Sequence, residues 1–128
     1  MSPVQRTLAL LKKQNIPCGI VERFVKNGAF GFRKDLFGII DIIALGSHGV
    51  KGIQVCGTDY APHWKKITEE KWKESEDWLN CPGTSLEIWS WRKVKKVRGG
   101  KAMVWKLRLT EVSTFDIQPT NKGEALVS

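Results

Sequence analysis

The run Lys34-Asp35-Leu36-Phe37-Gly38-Ile39-Ile40-Asp41-Ile42-Ile43-Ala44, followed by Gly52-Ile53-Gln54-Val55-Cys56, decides how this chain folds. Both segments are apolar and rich in β-branched residues, the pattern of strands buried on both faces. Each also carries one polar residue, Asp41 or Gln54, where a core residue is expected. A carboxylate among isoleucines is costly unless it is paired or used. Gly46-Ser47-His48-Gly49 has the composition of a tight turn, so the two strands are expected to form a hairpin that sets Asp41 beside Gln54.

Alternation along the strands puts Ile39, Asp41 and Ile43 on one face, with Asp35 if the strand starts that early. It likewise puts Gln54 and Cys56 together. Upstream, Ser2-Pro3 predicts a helix start, with Val4, Leu8 and Leu11 on one face and an end near Asn15. Gly19 to Val25 is expected as a first strand, Asn27-Gly28-Ala29 as a turn, Phe30 to Leu45 as the second strand region and Val50 to Cys56 as the third. Tyr60 to Asn80 changes to a helical period and stops at Cys81-Pro82-Gly83. Leu86–Trp91 and Val104–Leu109 alternate as two further strands, joined by a loop carrying Arg92, Lys93, Lys95, Lys96, Arg98 and Lys101. The expected fold is α/β (α+β): a mixed sheet flanked by helices, in the order α-β-β-β-α-β-β. Residues 1–113 are expected to form a single domain, and 114–128 a loose tail with little to bury.

The 128 residues suit one core, and no apolar run approaches the roughly 20 residues that span a bilayer. With no signal-peptide layout and three scattered cysteines, Cys18, Cys56 and Cys81, the expectation is an intracellular, cytoplasmic protein. No CxxC spacing is present, so neither a disulfide framework nor a zinc site is indicated. Lys plus Arg total 21 against 13 acids, a net charge of +8, which favours a polyanionic partner such as nucleic acid. Most of the six tryptophans sit at core-like positions rather than on base-stacking platforms.

A carboxylate and an amide oxygen are hard donors suited to Mg²⁺ or Mn²⁺ beside a phosphate, so Asp41 and Gln54 are candidate metal ligands, with Glu22 as a third. Asp41, its twelve-residue spacer and Gln54-Val55-Cys56 resemble motifs II and III of the PD-(D/E)xK nuclease superfamily, as does the order of elements. The resemblance runs from about Val21 through Trp91. It implies a restriction-endonuclease-like sheet and a Mg²⁺-dependent nuclease that hydrolyses phosphodiester bonds in DNA, with RNA not excluded. A homodimer follows from the same resemblance.

Position by position, Asp41 matches the motif II acid. Gln54 stands where Asp or Glu is usual, and Cys56 where the lysine is usual. The first helix holds no acid, so Glu22, with Asp35 close behind, is the candidate for the remaining metal-site carboxylate. Lys66 is the best substitute for the missing lysine, ahead of Lys65 and Lys34. Arg33, Lys34, Lys65 and the Arg92–Lys101 cluster are the candidate nucleic-acid contacts. The alternative is a catalytically inactive nucleic-acid-binding protein on a nuclease scaffold, for which the departures at Gln54 and Cys56 are the evidence.

Overall fold

Ser2 and Pro3 act as their types dictate. The Ser2 Oγ accepts the Gln5 N–H at 3.2 Å and Pro3 opens the first helix, α1, Pro3–Lys13. The computed structural model describes residues 1–119. After α1 come β1 (Cys18–Ile20), β2 (Arg23–Asn27), β3 (Phe30–Lys34), β4 (Ile42–Gly46), β5 (Gly49–Cys56), α2 (Tyr60–Lys65), α3 (Trp72–Asn80), β6 (Thr84–Lys95) and β7 (Met103–Val112).

Five strands make one mixed sheet in the order β1-β4-β5-β6-β7, antiparallel except for the parallel pair β5 and β6. Strands β2 and β3 form a separate antiparallel hairpin. The α/β class and the helix-flanked mixed sheet are as expected. The order along the chain is longer than α-β-β-β-α-β-β, because two expected strands and the long helix are each interrupted.

The first interruption falls at Val21 and Glu22. Both of their N–H groups turn to the Asp41 carbonyl, at 2.9 and 3.3 Å, and this takes the chain out of the main sheet. The second breaks the expected Phe30–Leu45 strand. Phe37 and Gly38 have φ of 56° and 76°, which no strand accommodates, and Leu36 pairs with Ile40 to close the loop. Asp41 therefore lies at the entry to β4, not within a continuous strand. The third divides the Tyr60–Asn80 helix: Lys66–Glu70 widens to a π-helical turn, and Lys71, at φ −112° and ψ 33°, ends it before α3.

Helix α1 covers one face of the sheet, where Leu8 and Leu11 pack with Ile42, Ala44, Ile53, Val55, Trp89 and Trp91. Helices α2 and α3, with Ile67 of the turn between them, cover the other, over Ile39, Ile40, Cys56, Leu86 and Ile88. Most tryptophans are structural: Trp89 and Trp91 are buried and Trp72 and Trp78 pack against the second cluster, as their spacing predicts. Trp64, whose place beside His63 and Lys65 suggests an exposed ring, packs there too, while Trp105 is exposed. Trp91 Nε1 donates to the fully buried Thr7 Oγ1 at 2.9 Å, pinning α1 to β6. Replacing Thr7 with Val strands that indole donor, and a loss of about 1–3 kcal/mol is expected in urea denaturation.

Residues just beyond β7 are tied down. Ser113 and Asp116 cap a short 3₁₀ turn, Ile117 is buried, and the Gln118 N–H reaches the Thr68 carbonyl at 2.8 Å. The rest of the expected tail lies outside the described residues. No helix among the described residues is long and apolar enough to cross a membrane.

Candidate metal centre

The hairpin β2–β3 is inserted into the chain between β1 and β4, and its two feet carry acids. Glu22 stands at the entry and Asp35 at the exit. Between them lies Asp41, whose own N–H bonds to Ile53 O at 2.9 Å as the β4–β5 ladder begins. Carboxylate oxygens of Glu22, Asp35 and Asp41 come within 4.8 Å of one another. The backbone bonds from Val21 and Glu22 to the Asp41 carbonyl hold the first and last of these acids in place. The three residues named from the sequence as acid ligands thus converge.

Asp41 is 5% exposed, and its Oδ2 accepts two hydrogen bonds, from Gln54 Nε2 and from the Val55 N–H, both at 2.8 Å. Burial, then a hydrogen bond shared with Asp35 and the charge of that neighbour, push the Asp41 carboxyl up to about 8, against the Val55 N–H that favours its anion. Burial also works to raise the Asp35 pKa. There, hydrogen bonds with Asp41, Lys66 and Gln54 and the Lys66 charge outweigh it and hold the group below its ordinary value. At neutral pH the pair therefore shares a proton, as closely placed carboxylates do.

Gln54 is fully buried and does reach Asp41, as the register predicts. It arrives as a donor. Its Nε2 faces Asp41 and also Asp35 Oδ2, at 3.1 Å, while its Oε1 faces His63 Nδ1 at 3.2 Å. Two carboxylate acceptors require the amide nitrogen on their side, so the expected ligand oxygen points away from the acids. Gln54 holds the acids together; in this geometry it does not coordinate with them.

Lys66, at the start of the π-helical turn, donates to Asp35 Oδ2 at 2.9 Å. It is the lysine the structure brings to the acids, whereas Lys65 is exposed and is not among the residues lining the cleft. Arg33 pairs with Glu22 at 2.8 Å, and Lys34 lines the same open cleft of about 510 Å³. Lys71 lines it too, and was not singled out from the sequence. Its presence depends on the helix break that places Lys71 over Gly38.

The basic cluster Arg92–Lys101 is not a single loop. Arg92, Lys93 and Lys95 lie on β6, and the turn itself is Lys96 to Ala102, closed by a 2.9 Å bond between those two residues. Because Ser90 pairs with Cys56 at the end of β5, everything after it on β6 projects past β5, paired only with β7. That is the end at which Asp41 enters β4, so the acids and the basic hairpin share one end of the sheet. Two more cations on β7 lie near them, outside the loop that the sequence marks as basic: Lys106 pairs with Arg92, and Arg108 lies over the Tyr60 ring at 3.9 Å.

The donor set suits a hard divalent ion. Three carboxylates gather on one point, and the proton shared by Asp35 and Asp41 offsets part of the negative charge crowded there. No protein-family model, curated protein or solved structure matches this chain.

Proposed function

We propose that the protein is a Mg²⁺- or Mn²⁺-dependent nuclease that hydrolyses phosphodiester bonds in DNA, acting as an endonuclease. The observation that carries this reading is the convergence of Glu22, Asp35 and Asp41 with Lys66 on Asp35, at the sheet end from which the basic hairpin projects. With β2–β3 regarded as an insertion, the elements run α1-β1-β4-β5, then helices, then β6-β7, which is the order that resembles a restriction-endonuclease-like sheet.

Glu22, Asp35 and Asp41 would hold the ion. When bound, a hard divalent cation supplies charge against the phosphate and makes water a better nucleophile at neutral pH. Asp41 must give up its proton for the three acids to serve as ligands, so uptake strengthens as pH rises. Lys66 stands beside the acids, where its ammonium faces negative charge developing on a scissile phosphate. Gln54 keeps Asp35 and Asp41 at a fixed separation. Exposed Phe24, Phe30 and Phe32 on β2–β3 offer an apolar surface for a homodimer, which sedimentation would detect.

The test is cleavage of supercoiled, branched and single-stranded DNA with each metal, by wild type and by Asp41→Asn. Cleavage by wild type alone, with DNA binding kept in both, is the expected result. Wild-type binding without cleavage of any substrate would leave the inactive binding scaffold as the better reading. The hairpin carries a separate expectation. Replacing Lys95, Lys96, Arg98 and Lys101 together with Ala should weaken DNA binding on all sequences alike. It should also reduce the slope of log K against log salt by about one for each phosphate that these side chains neutralise.

A further inference from the structure

We propose that Cys56, Asp59 and His63 form a second metal site, suited to a borderline ion such as Zn²⁺. Their ligand atoms lie within 4.8 Å of one another. All three come from one short passage: Cys56 ends β5, Asp59 precedes α2, and His63 follows one helical turn later. The spacing Cys-x₂-Asp-x₃-His contains no cysteine pair, the usual sequence signal of a zinc site. A thiolate, an imidazole and a carboxylate make three protein ligands and leave one tetrahedral position for water; a thiolate among them disfavours Mg²⁺.

The hydrogen bonds around His63 supply the independent observation. The Gln54 amide nitrogen is committed to Asp35 and Asp41, so its oxygen faces His63 Nδ1 and requires a proton there. Nε2, on the other side of the ring, faces Asp59 Oδ2 at 3.0 Å, so the ring nitrogen and the carboxylate converge on one point. A cation there would be held by both, and a metal-ligating histidine commonly donates its other ring N–H to an oxygen, the relation Nδ1 has here to Gln54 Oε1.

Cys56 is buried beside this pair, and Asp59, whose Oδ1 accepts the Gly57 N–H at 3.2 Å, is held as a carboxylate with its second oxygen toward His63. Burial pushes the Cys56 thiol above its ordinary value, against the Ser90 hydroxyl, with the charges of Asp59 and Asp41 adding to the rise and that of Arg108 opposing it. An ion must therefore displace the thiol proton to bind. An ion here would clamp the end of β5 to α2. Through His63 it would also hold the Gln54 amide in the orientation that bridges the acids. The site does not depend on the acids being catalytic.

Cobalt(II) reports the site directly. In a Cys18→Ser/Cys81→Ser background, Cys56 is the one remaining thiol. Titration should then show one thiolate-bound Co²⁺ per chain, with a near-ultraviolet thiolate charge-transfer band that saturates at one equivalent and the visible bands of a tetrahedral ion, displaced by Zn²⁺. Cys56→Ser should abolish the charge-transfer band. His63→Gln and Asp59→Asn, at partly and largely exposed side chains, should each weaken binding at least about 10-fold, the scale on which even outer-shell partners act. These two variants carry the test if Cys56→Ser does not fold by circular dichroism. Asp41→Asn should leave the bands unchanged even if it abolishes cleavage. The proposal is overturned by absence of the band, by its persistence in Cys56→Ser, by its loss in Asp41→Asn, or by an imidazolium at His63 in NMR with Zn²⁺ in excess.

Discussion

Asp41→Asn is expected to abolish metal-dependent cleavage while making the metal-free protein more stable at pH 8. Asparagine has nearly the same shape. Its amide oxygen can accept the Gln54 and Val55 hydrogen bonds now made to Asp41 Oδ2, and its NH₂ can replace the proton shared with Asp35. What it removes is the ligand charge, so the rate should fall about 10³-fold or more, the loss of several kcal/mol of transition-state stabilisation.

The stability gain follows from linkage. The Asp41 pKa rises from 3.8 to about 8 on folding, so between those values the folded chain binds more protons than the unfolded chain. Stability must then fall as pH rises through that window, by up to about 1.4 kcal/mol per pH unit. Asp35 is shifted the other way: its contribution is present above its ordinary value and lost as pH falls below it. The wild-type Tm without metal should therefore decline from about pH 5 to pH 8. Mn²⁺ should restore it at pH 8 and do little at pH 5. In Asp41→Asn the decline and the Mn²⁺ response should both shrink. A variant less stable than wild type at pH 8, or one that still cuts, would remove Asp41 from the role assigned to it.

The second large effect is expected at Gly49, far from the acids. Its φ is 145°, and a Cβ there would lie 1.7 Å from the carbonyl oxygen of Gly83. That oxygen already accepts the Val50 N–H at 2.8 Å, where β5 meets the start of β6. Neither backbone can yield without breaking the parallel pairing. Gly49→Ala should cost about 3 kcal/mol or more in urea denaturation, combining backbone strain with overpacking. Any folded remainder should cleave more slowly, since the register that sets Asp41 against Gln54 begins at this turn. Gly46→Ala is the control. Its Cβ would meet only Gly49 O, at an ordinary 3.6 Å, and little change is expected.

The β4–β5 hairpin was legible because two signals agreed there: glycines at the turn, and strands whose alternation leaves Asp41 and Gln54 opposed. Glu22 and Asp35 were harder: the turn at Asn27-Gly28-Ala29 was legible, but nothing near either acid says that the hairpin around it leaves the main sheet while its feet meet. Helical spacing from Tyr60 to Asn80 likewise concealed the π-helical turn. That turn answers to the packing of Ile67 and Thr68 in the core and to the Ser75 hydroxyl on the Ile67 carbonyl, at 2.8 Å. Local propensity cannot anticipate contacts of that kind.

By itself, the sequence determined the cap of α1, the turn at Ser47-His48 and the pairing that sets Asp41 beside Gln54. Those depend on residues close along the chain. Tertiary structure alone decided which way the Gln54 amide faces, which lysine reaches Asp35, and that Cys56 and Asp59 stand beside His63. Each of these is set by hydrogen-bond partners brought in by the fold, and a buried polar group takes its role from the partners that surround it.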